Sequence, residues 1–450
     1  MDIGKEQNSR WFCRSFFESR AAAVILRAVY AFVILMALTI GAVTVRQADD
    51  PLLTKAGFIA ALIGFSIVAV QVMLGSRLKL LDRAFGLDKV VIFHRKMGVV
   101  AAVLLLSHPI LMSAGNRSLS LFSFNMPWQV NLGKGAILLV IAGVLLALYY
   151  SKFRLDYNAW RLIHKAMIAA VILAFTHSLL IGDAFEIGWV KVWWWVLVVF
   201  ACAAFIWQNF VVIPFGRKKY IVKAVTKETH DTFSLRLEPV SNPGAPIFDY
   251  KPGQFMFLEL QHRGRMSEEH PFTISSSPTS QGHITATIKK SGNYTNLIDQ
   301  TQVSDDAMLA APFGRFSWAF DNPSSFLFIA GGVGITPIRS MITALCDIGD
   351  KRPAVLLYGN KTEGDIIYRG EFEKLPANFK IVHILSKAQE GWKGLAGHID
   401  AEIIKREADS ILKDADVYLC GPPVMMQQVV TALLSLGVDK RKIHYERFTI

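Results

Sequence analysis

The sequence predicts a six-helix transmembrane bundle, then an antiparallel β-barrel, then an α/β domain of Rossmann-like type. Three observations predict it. Up to about residue 213 the chain is a series of long apolar runs. From "GRKKYIVKAV" onward, short alternating segments bounded by turn residues replace them. From about residue 324, apolar strands alternate with helix-like stretches, the pattern of a parallel sheet.

Composition agrees with the first observation. Hydrophobic residues make up 52% and charged residues 19% of the 450 residues, which an ordinary soluble enzyme does not show. The stretches 28–45, 56–76, 97–116, 135–151, 166–182 and 192–216 contain no charged residue. About 20 apolar residues cross a bilayer core, so each can span. The first is too long, and lacks the small-residue cleavage site, to be a removable signal peptide; it reads as an anchor.

The formal net charge of +12 is unevenly placed. Eighteen Lys and Arg fall before the first span, in the second and fourth loops and at Arg217–Lys219; five fall in the loops on the other side. Cytoplasmic loops carry the excess, so both termini and the whole soluble half are expected in the cytosol. Trp189 and Trp193–Trp195 fall at the outer end of span six, where an aromatic belt belongs. No basic stripe with interleaved aromatics suggests nucleic acid as a partner. Four scattered cysteines, with no C-x-x-C pair, suggest neither a disulfide framework nor a zinc site.

Four histidines stand in or beside the spans: His94 and His108 in the third, His164 and His177 in the fifth. At 1.5 Å per residue, separations of 14 and 13 residues are about 21 and 20 Å. Both helices run outward, so His94 and His164 share an inner level and His108 and His177 an outer one. Two facing imidazoles are what bis-histidine haem ligation needs, and two pairs would stack two haems about 20 Å apart across the core. A lone intramembrane histidine can also bond a neighbouring helix or serve a proton relay. Paired levels fit ligation better. The phase is harder: 14 residues return within about 40° of the starting face, whereas 13 are about 140° off.

In the soluble half "KYIVKAVTKE", "TFSLRLEP", "QFMFLEL" and "HITATIKK" read as barrel strands, with a Pro-Gly turn in "YKPGQF". The sharpest local signal is "FIAGGVGITPIRSMI", an apolar strand running through glycines into a helix. Amides at a helix N-terminus hold phosphate, and glycines let it approach; an ordinary strand-to-helix turn has the same look.

"HPFTISSSP" (270–278), "GGVGITP" (331–337) and "LCGPP" (419–423), in this order, resemble the ferredoxin–NADP reductase superfamily. Behind six spans with paired histidines, the chain resembles the NADPH oxidase and ferric reductase family of transmembrane flavocytochromes. The 14/13 spacing is closer to the NADPH oxidase branch than to fungal ferric reductases. The short loops, and the absence of an N-terminal calcium-binding domain, resemble prokaryotic members.

The resemblance implies domains at 1–22 (cytosolic segment), 23–215 (haem-binding bundle), 216–322 (FAD-binding barrel) and 323–450 (NAD(P)H-binding α/β domain). It implies metal ligation by His94, His108, His164 and His177. It places FAD against His270, Pro271, Phe272 and Thr273, with Lys289, Tyr294 and Thr295 in a second flavin motif, Lys289 standing where the family usually has arginine. Gly331, Gly332, Gly334, Thr336 and Pro337 would cradle the nucleotide pyrophosphate. Cys420, Gly421 and Pro422 would lie near the nicotinamide, and Phe448 would cover the flavin ring. Lys361, Ser386 and Lys387 would take a 2′-phosphate, which favours NADPH over NADH, as does the lack of an acidic ribose clamp. The implied activity is electron transfer from cytosolic NADPH through FAD and two b-type haems to an outer acceptor, O2 giving superoxide or else ferric iron. The alternative is a membrane-anchored reductase serving a quinone or protein partner. A bacterial cytoplasmic membrane is the expected location.

Overall fold

Among the described residues, six helices are long and apolar enough to cross a membrane. In the computed structural model the described residues are 20–47, 49–117, 123, 125–149, 157–240, 248–262, 265–280 and 282–446. The chain divides at Phe215/Gly216 into two compact units.

In the first unit the helices of the spans are α1 (Arg20–Gln47), α2 (Leu52–Leu74), α3 (Leu87–Gly115), α4 (Trp128–Tyr149), the pair α5 (Tyr157–Lys165) and α6 (Met167–Ile181), and α7 (Gly188–Ile206). Each matches one predicted span. Large apolar side chains such as Val103, Leu138 and Val199 are more than half exposed, as lipid-facing positions must be. Helices α2 and α3 are antiparallel and close, because glycines line the contact. A Cβ on Gly64 would sit 2.9 Å from Leu105 Cγ, and one on Gly57 would sit 3.1 Å from the His108 carbonyl.

Span five is not one helix. It breaks at Ala166, whose amide is shared between Leu162 O (3.3 Å) and Ile163 O (3.1 Å), while Ala169 N–H returns to Ala166 O at 2.9 Å. The bonds to Ile163 O and Ala166 O are i→i+3, and such turns advance about 120° per residue instead of 100°. The tightening turns the 13-residue offset toward the 14-residue one, the right direction for the phase problem. The aromatic-belt expectation for span six needs correction at one position. Trp194 is 1% exposed; it stacks on Phe65 at 4.6 Å and donates from Nε1 to Ser178 Oγ at 2.8 Å. Trp189 and Trp195 remain exposed.

The second unit holds two sheets. Strands β1 (Lys218–Lys227), β2 (Thr232–Pro239), β3 (Phe255–His262), β4 (Arg265–Thr273), β5 (Ile284–Lys289) and β6 (Asp306–Phe313) form an antiparallel sheet in the order β4-β3-β6-β1-β2-β5. A bridge between Ile274 and Ala286, with Ser275 N–H to Thr285 O at 2.8 Å, closes it into a barrel. Val222, Leu235, Leu237, Met256, Leu258 and Ile284 fill the interior. The predicted Pro-Gly turn is present: Gly253 has φ +92° and lies where a Cβ would strike Phe316 O at 2.3 Å.

Strands β7 (Phe326–Gly331), β8 (Ala354–Asn360), β9 (Phe379–Leu385), β10 (Leu395–Ala396), β11 (Asp416–Cys420) and β12 (Ile443–Glu446) form a parallel sheet in the order β10-β9-β8-β7-β11-β12. Every residue of β7 is buried, because helices α8 (Ile335–Asp347), α9 (Ala401–Leu412) and α10 (Pro423–Ser435) clothe the sheet. The chain leaves β7 toward β8 and comes back on the other side at β11. The crevice beyond the carboxyl ends of β7 and β11 is therefore the topological switch point, where such sheets bind ligands.

Candidate functional site

The inner histidines meet. The rings of His94 and His164 are 6.0 Å apart between centres with planes at 80°. A metal–imidazole bond of about 2 Å on each side, plus about 1 Å from nitrogen to ring centre, gives a spacing of about 6 Å, so the pair fits an intervening iron. Trp160 stacks on His164 at 5.4 Å. The Nδ1 atoms of His94 and His164 are buried without a hydrogen bond, although the Gln71 carbonyl lies beside His94.

The outer histidines are held by backbone. His108 Nδ1 bonds Gly57 O at 3.0 Å and His177 Nδ1 bonds Gln129 O at 2.8 Å. A carbonyl only accepts, so each Nδ1 carries the proton and each Nε2 keeps its lone pair, the form that ligates metal. The two rings are close enough to interact electrostatically. Gly133 makes the room: a Cβ there would lie 2.7 Å from His177 Cε1.

In the barrel, β4 carries His270–Thr273 with Phe272 half-buried and Pro271 exposed. Tyr294 packs beside this strand, 4.1 Å from the His270 ring and 6.3 Å from Phe272. His270 Nε2 is 2.9 Å from Glu268 Oε2. Thr273 is 5% exposed, and its hydroxyl is buried without a partner, an orphan that a flavin edge would satisfy. Lys289 and Thr295 already have intramolecular work. Lys289 Nζ pairs with Asp231 at 3.1 Å, and Thr295 Oγ1 accepts from the amides of Ser291 (2.9 Å) and Gly292 (3.0 Å). Thr295 thus shapes the loop of the second flavin motif.

At the switch point the two glycine loops touch. A Cβ on Gly334 would lie 2.3 Å from Cys420 O, and one on Gly331 would lie 2.4 Å from Met425 Sδ. Gly332 needs its left-handed φ of +52° and has open space where a Cβ would be. Tyr358 Oη donates to Gly332 O at 3.1 Å and steadies the loop. Thr336 Oγ1 donates to Val333 O at 3.0 Å, and α8 opens through Thr336 and Pro337. Cys420 ends β11 with no exposure, and burial pushes its thiol well above the ordinary range. Gly421 lies against Gly331, and Pro422 caps α10. Lys361, Ser386 and Lys387 come together: Lys387 N–H bonds Lys361 O at 2.8 Å and Ser386 N–H bonds Asn360 O at 3.0 Å, all three side chains exposed. Phe448 lies outside the described residues.

Sequence reasoning missed several neighbours. Asn360, 8% exposed, ends β8 with a buried amide that makes no hydrogen bond. Glu446 ends β12 beside Cys420 and is 6% exposed. A polar residue closing a buried strand was the available signal for both.

An antiparallel barrel and a parallel nucleotide-binding sheet behind six apolar helices define a membrane-embedded oxidoreductase that uses FAD and a pyridine nucleotide. Family descriptions match in three blocks: a ferric reductase like transmembrane component over residues 60–175, an FAD-binding domain over 216–329, and an oxidoreductase NAD-binding domain over 328–431. The reductase component of propane 2-monooxygenase from Mycolicibacterium goodii is 33% identical over 248 residues, 53% of this chain and 69% of that protein. NADH-cytochrome b5 reductase 1 from Lodderomyces elongisporus is 37% identical over 240 residues, 51% of this chain and 78% of that protein. The FAD/NAD-binding domain of nitric oxide dioxygenase from Vibrio cholerae aligns at 26% identity and a TM-score of 0.45, over 51% of this chain and 97% of that one. The chain belongs to the ferredoxin–NADP reductase-type oxidoreductases, with a ferric reductase-like transmembrane domain ahead of its dehydrogenase half.

Proposed function

We propose that this protein carries electrons from cytosolic NADPH across the bacterial cytoplasmic membrane to an acceptor outside, with O2 giving superoxide as the first choice and ferric iron the second. The observation that carries the reading is the two-level histidine arrangement: a 6.0 Å ring spacing at the inner pair and backbone-held Nδ1 atoms at the outer pair. Haem held by His94 and His164, and by His108 and His177, would supply a one-electron relay, and FAD would supply the conversion from a hydride's electron pair to single electrons. The chain's own residues do the rest. Gly57 O and Gln129 O fix the outer imidazole tautomers. Thr273 offers a hydroxyl to the flavin, with Phe272, His270 and Tyr294 walling its pocket and Lys289 facing its phosphates. Gly331, Gly332, Gly334, Thr336 and Pro337 form the pyrophosphate turn, Cys420, Gly421 and Pro422 bound the nicotinamide pocket, and Phe448 is assigned by resemblance to cover the flavin ring.

Lys361, Ser386 and Lys387 form one exposed basic edge, which favours a 2′-phosphate. The Lys and Arg asymmetry supports cytosolic termini. One observation favours a second reading, delivery of electrons to a protein partner: relatives of the dehydrogenase half are named as reductase components. An absorption spectrum of the purified protein, before and after NADPH under argon and then after air, separates the two. Reduction of a bis-histidine haem spectrum without a partner supports the proposal. Absence of haem, or normal haem content and electron transfer in His108→Leu, refutes it.

A further inference from the structure

A partly buried polar network joins the barrel to the parallel-sheet domain. On the barrel side stand Glu228, Ser234, Ser275 and Thr287; on the other stand Arg339, Tyr368 and Glu371. Arg339 grips Glu371 through Nε (2.9 and 3.0 Å) and Nη2 (2.8 Å), while its Nη1 donates to Ser275 O at 2.8 Å. The guanidinium lies 4.4 Å over the Tyr368 ring. The Tyr368 hydroxyl reaches Ser234 Oγ at 3.5 Å and Thr287 Oγ1. Ser234 Oγ donates to Glu228 Oε1 at 2.6 Å, and burial pushes that carboxyl up. Ser340 Oγ adds a bond to Ser276 O at 2.6 Å.

Two features exceed what adhesion needs. Tyr368 is 8% exposed and has φ +61°, a left-handed conformation that is strained for an aromatic residue and persists only where the surroundings over-determine it. A partly buried ion pair is poor adhesive but highly directional, because the arginine fork accepts one carboxylate geometry. The network's position gives the direction a use. Ser275 is two residues past Thr273 on the flavin strand, and Arg339 is two residues past Pro337 on the helix that opens at the glycine loop.

We propose that Arg339 and Tyr368 are positioning residues that lock the Phe272–Thr273 strand against the Gly334–Pro337 turn, and so set the approach of nicotinamide to flavin. In the step they serve, a C–H bond of the dihydronicotinamide breaks and its hydrogen passes with both electrons to a flavin ring nitrogen. The nucleotide is thereby oxidised and the flavin reduced. Misplacement by about 1 Å costs such a step on the order of 100-fold. The inference holds whatever the final acceptor is.

The test is anaerobic single-turnover reduction of flavin by NADPH in the full-length protein, comparing wild type, Arg339→Lys and Tyr368→Phe at saturating FAD. Arg339→Lys keeps the charge and loses the fork; Tyr368→Phe loses only the hydroxyl. Rates are read per bound flavin. The expected result is a fall of about 10- to 100-fold for Arg339→Lys and about 3- to 10-fold for Tyr368→Phe. The nucleotide concentration for half-maximal rate should stay within about twofold, and a larger isotope effect should appear with 4-deuterated NADPH. Unchanged rates per flavin overturn the proposal. So does a raised half-maximal concentration at full rate, which would mark nucleotide contact. If Tyr368→Phe, the milder variant, holds no flavin even at saturating FAD, the network is structural only and the proposal is wrong.

Discussion

In the proposed two-haem arrangement, Gly133→Ala should empty the outer histidine site and leave the inner one loaded. The added Cβ would lie 2.7 Å from Cε1 and Nδ1 of His177 and 2.9 Å from Cγ, where ordinary contact begins at 3.4 Å. The ring must therefore retreat by about 0.7 Å, the difference between 3.4 and 2.7 Å. Gln129 is one helical turn before Gly133, so the same retreat disturbs the 2.8 Å bond from His177 Nδ1 to Gln129 O. Overpacking costs about 1–3 kcal/mol and a lost buried hydrogen bond about 1 kcal/mol. Together, about 2–4 kcal/mol weakens outer-site haem affinity by about 30- to 800-fold. Gly75→Ala is the control. Its Cβ would sit 3.4 Å from His94 Cε1, an ordinary contact at the inner site. The assay is haem per flavin by the pyridine haemochrome method. Gly133→Ala should fall from two toward one, and Gly75→Ala should hold at two. Two haems with an unaltered spectrum in Gly133→Ala, or equal losses in both variants, would refute the reasoning.

Thr273→Val removes the orphaned hydroxyl with little change of shape, so FAD retention should weaken about 10-fold while Thr273→Ser stays near wild type, read by flavin release on dilution. Charge reversal at Lys361 and Lys387 should raise the KM for NADPH by about 5-fold per site and leave that for NADH within about twofold; equal effects on both nucleotides would remove the 2′-phosphate reading. Cysteine alkylation should follow burial and pKa together. Thiolate is the reactive form, so Cys346, its thiol pushed up to about 11 chiefly by burial, should label slowly at neutral pH and faster as pH climbs toward that value. Cys420, fully buried with a thiol pushed further up, should stay unlabelled until the domain unfolds, which peptide mass spectrometry resolves.

What the sequence reveals of this molecule follows from which physical terms are local. Depth in the membrane is local: helix rise is fixed, and a polar residue in lipid is costly enough to need a reason, so His94 and His164 could be assigned to one level by counting. Turn chemistry is local too, which is why "PG", "GGVG" and "CGPP" fell at strand ends as expected. Azimuth around a helix is not. It depended on a shared amide at Ala166, inside a stretch with neither glycine nor proline to announce a break. The partners that fix the outer tautomers were invisible for another reason, since Gly57 O and Gln129 O are backbone acceptors that any residue possesses. Trp194 was misread because tryptophan serves both belts and cores, and Phe65, in a different span, decides between them. The bond between Ser234 and Tyr368 joins residues 134 apart, so neither could point to the other before the fold brought them together. The glycines mark the boundary between the two kinds of information. Gly331, Gly332 and Gly334 were legible because a ligand-binding loop needs several in a row. Gly133, with Gly135 two residues on, sits in an ordinary apolar helix, and its value is set by the imidazole of another helix that fills the space a side chain would have taken.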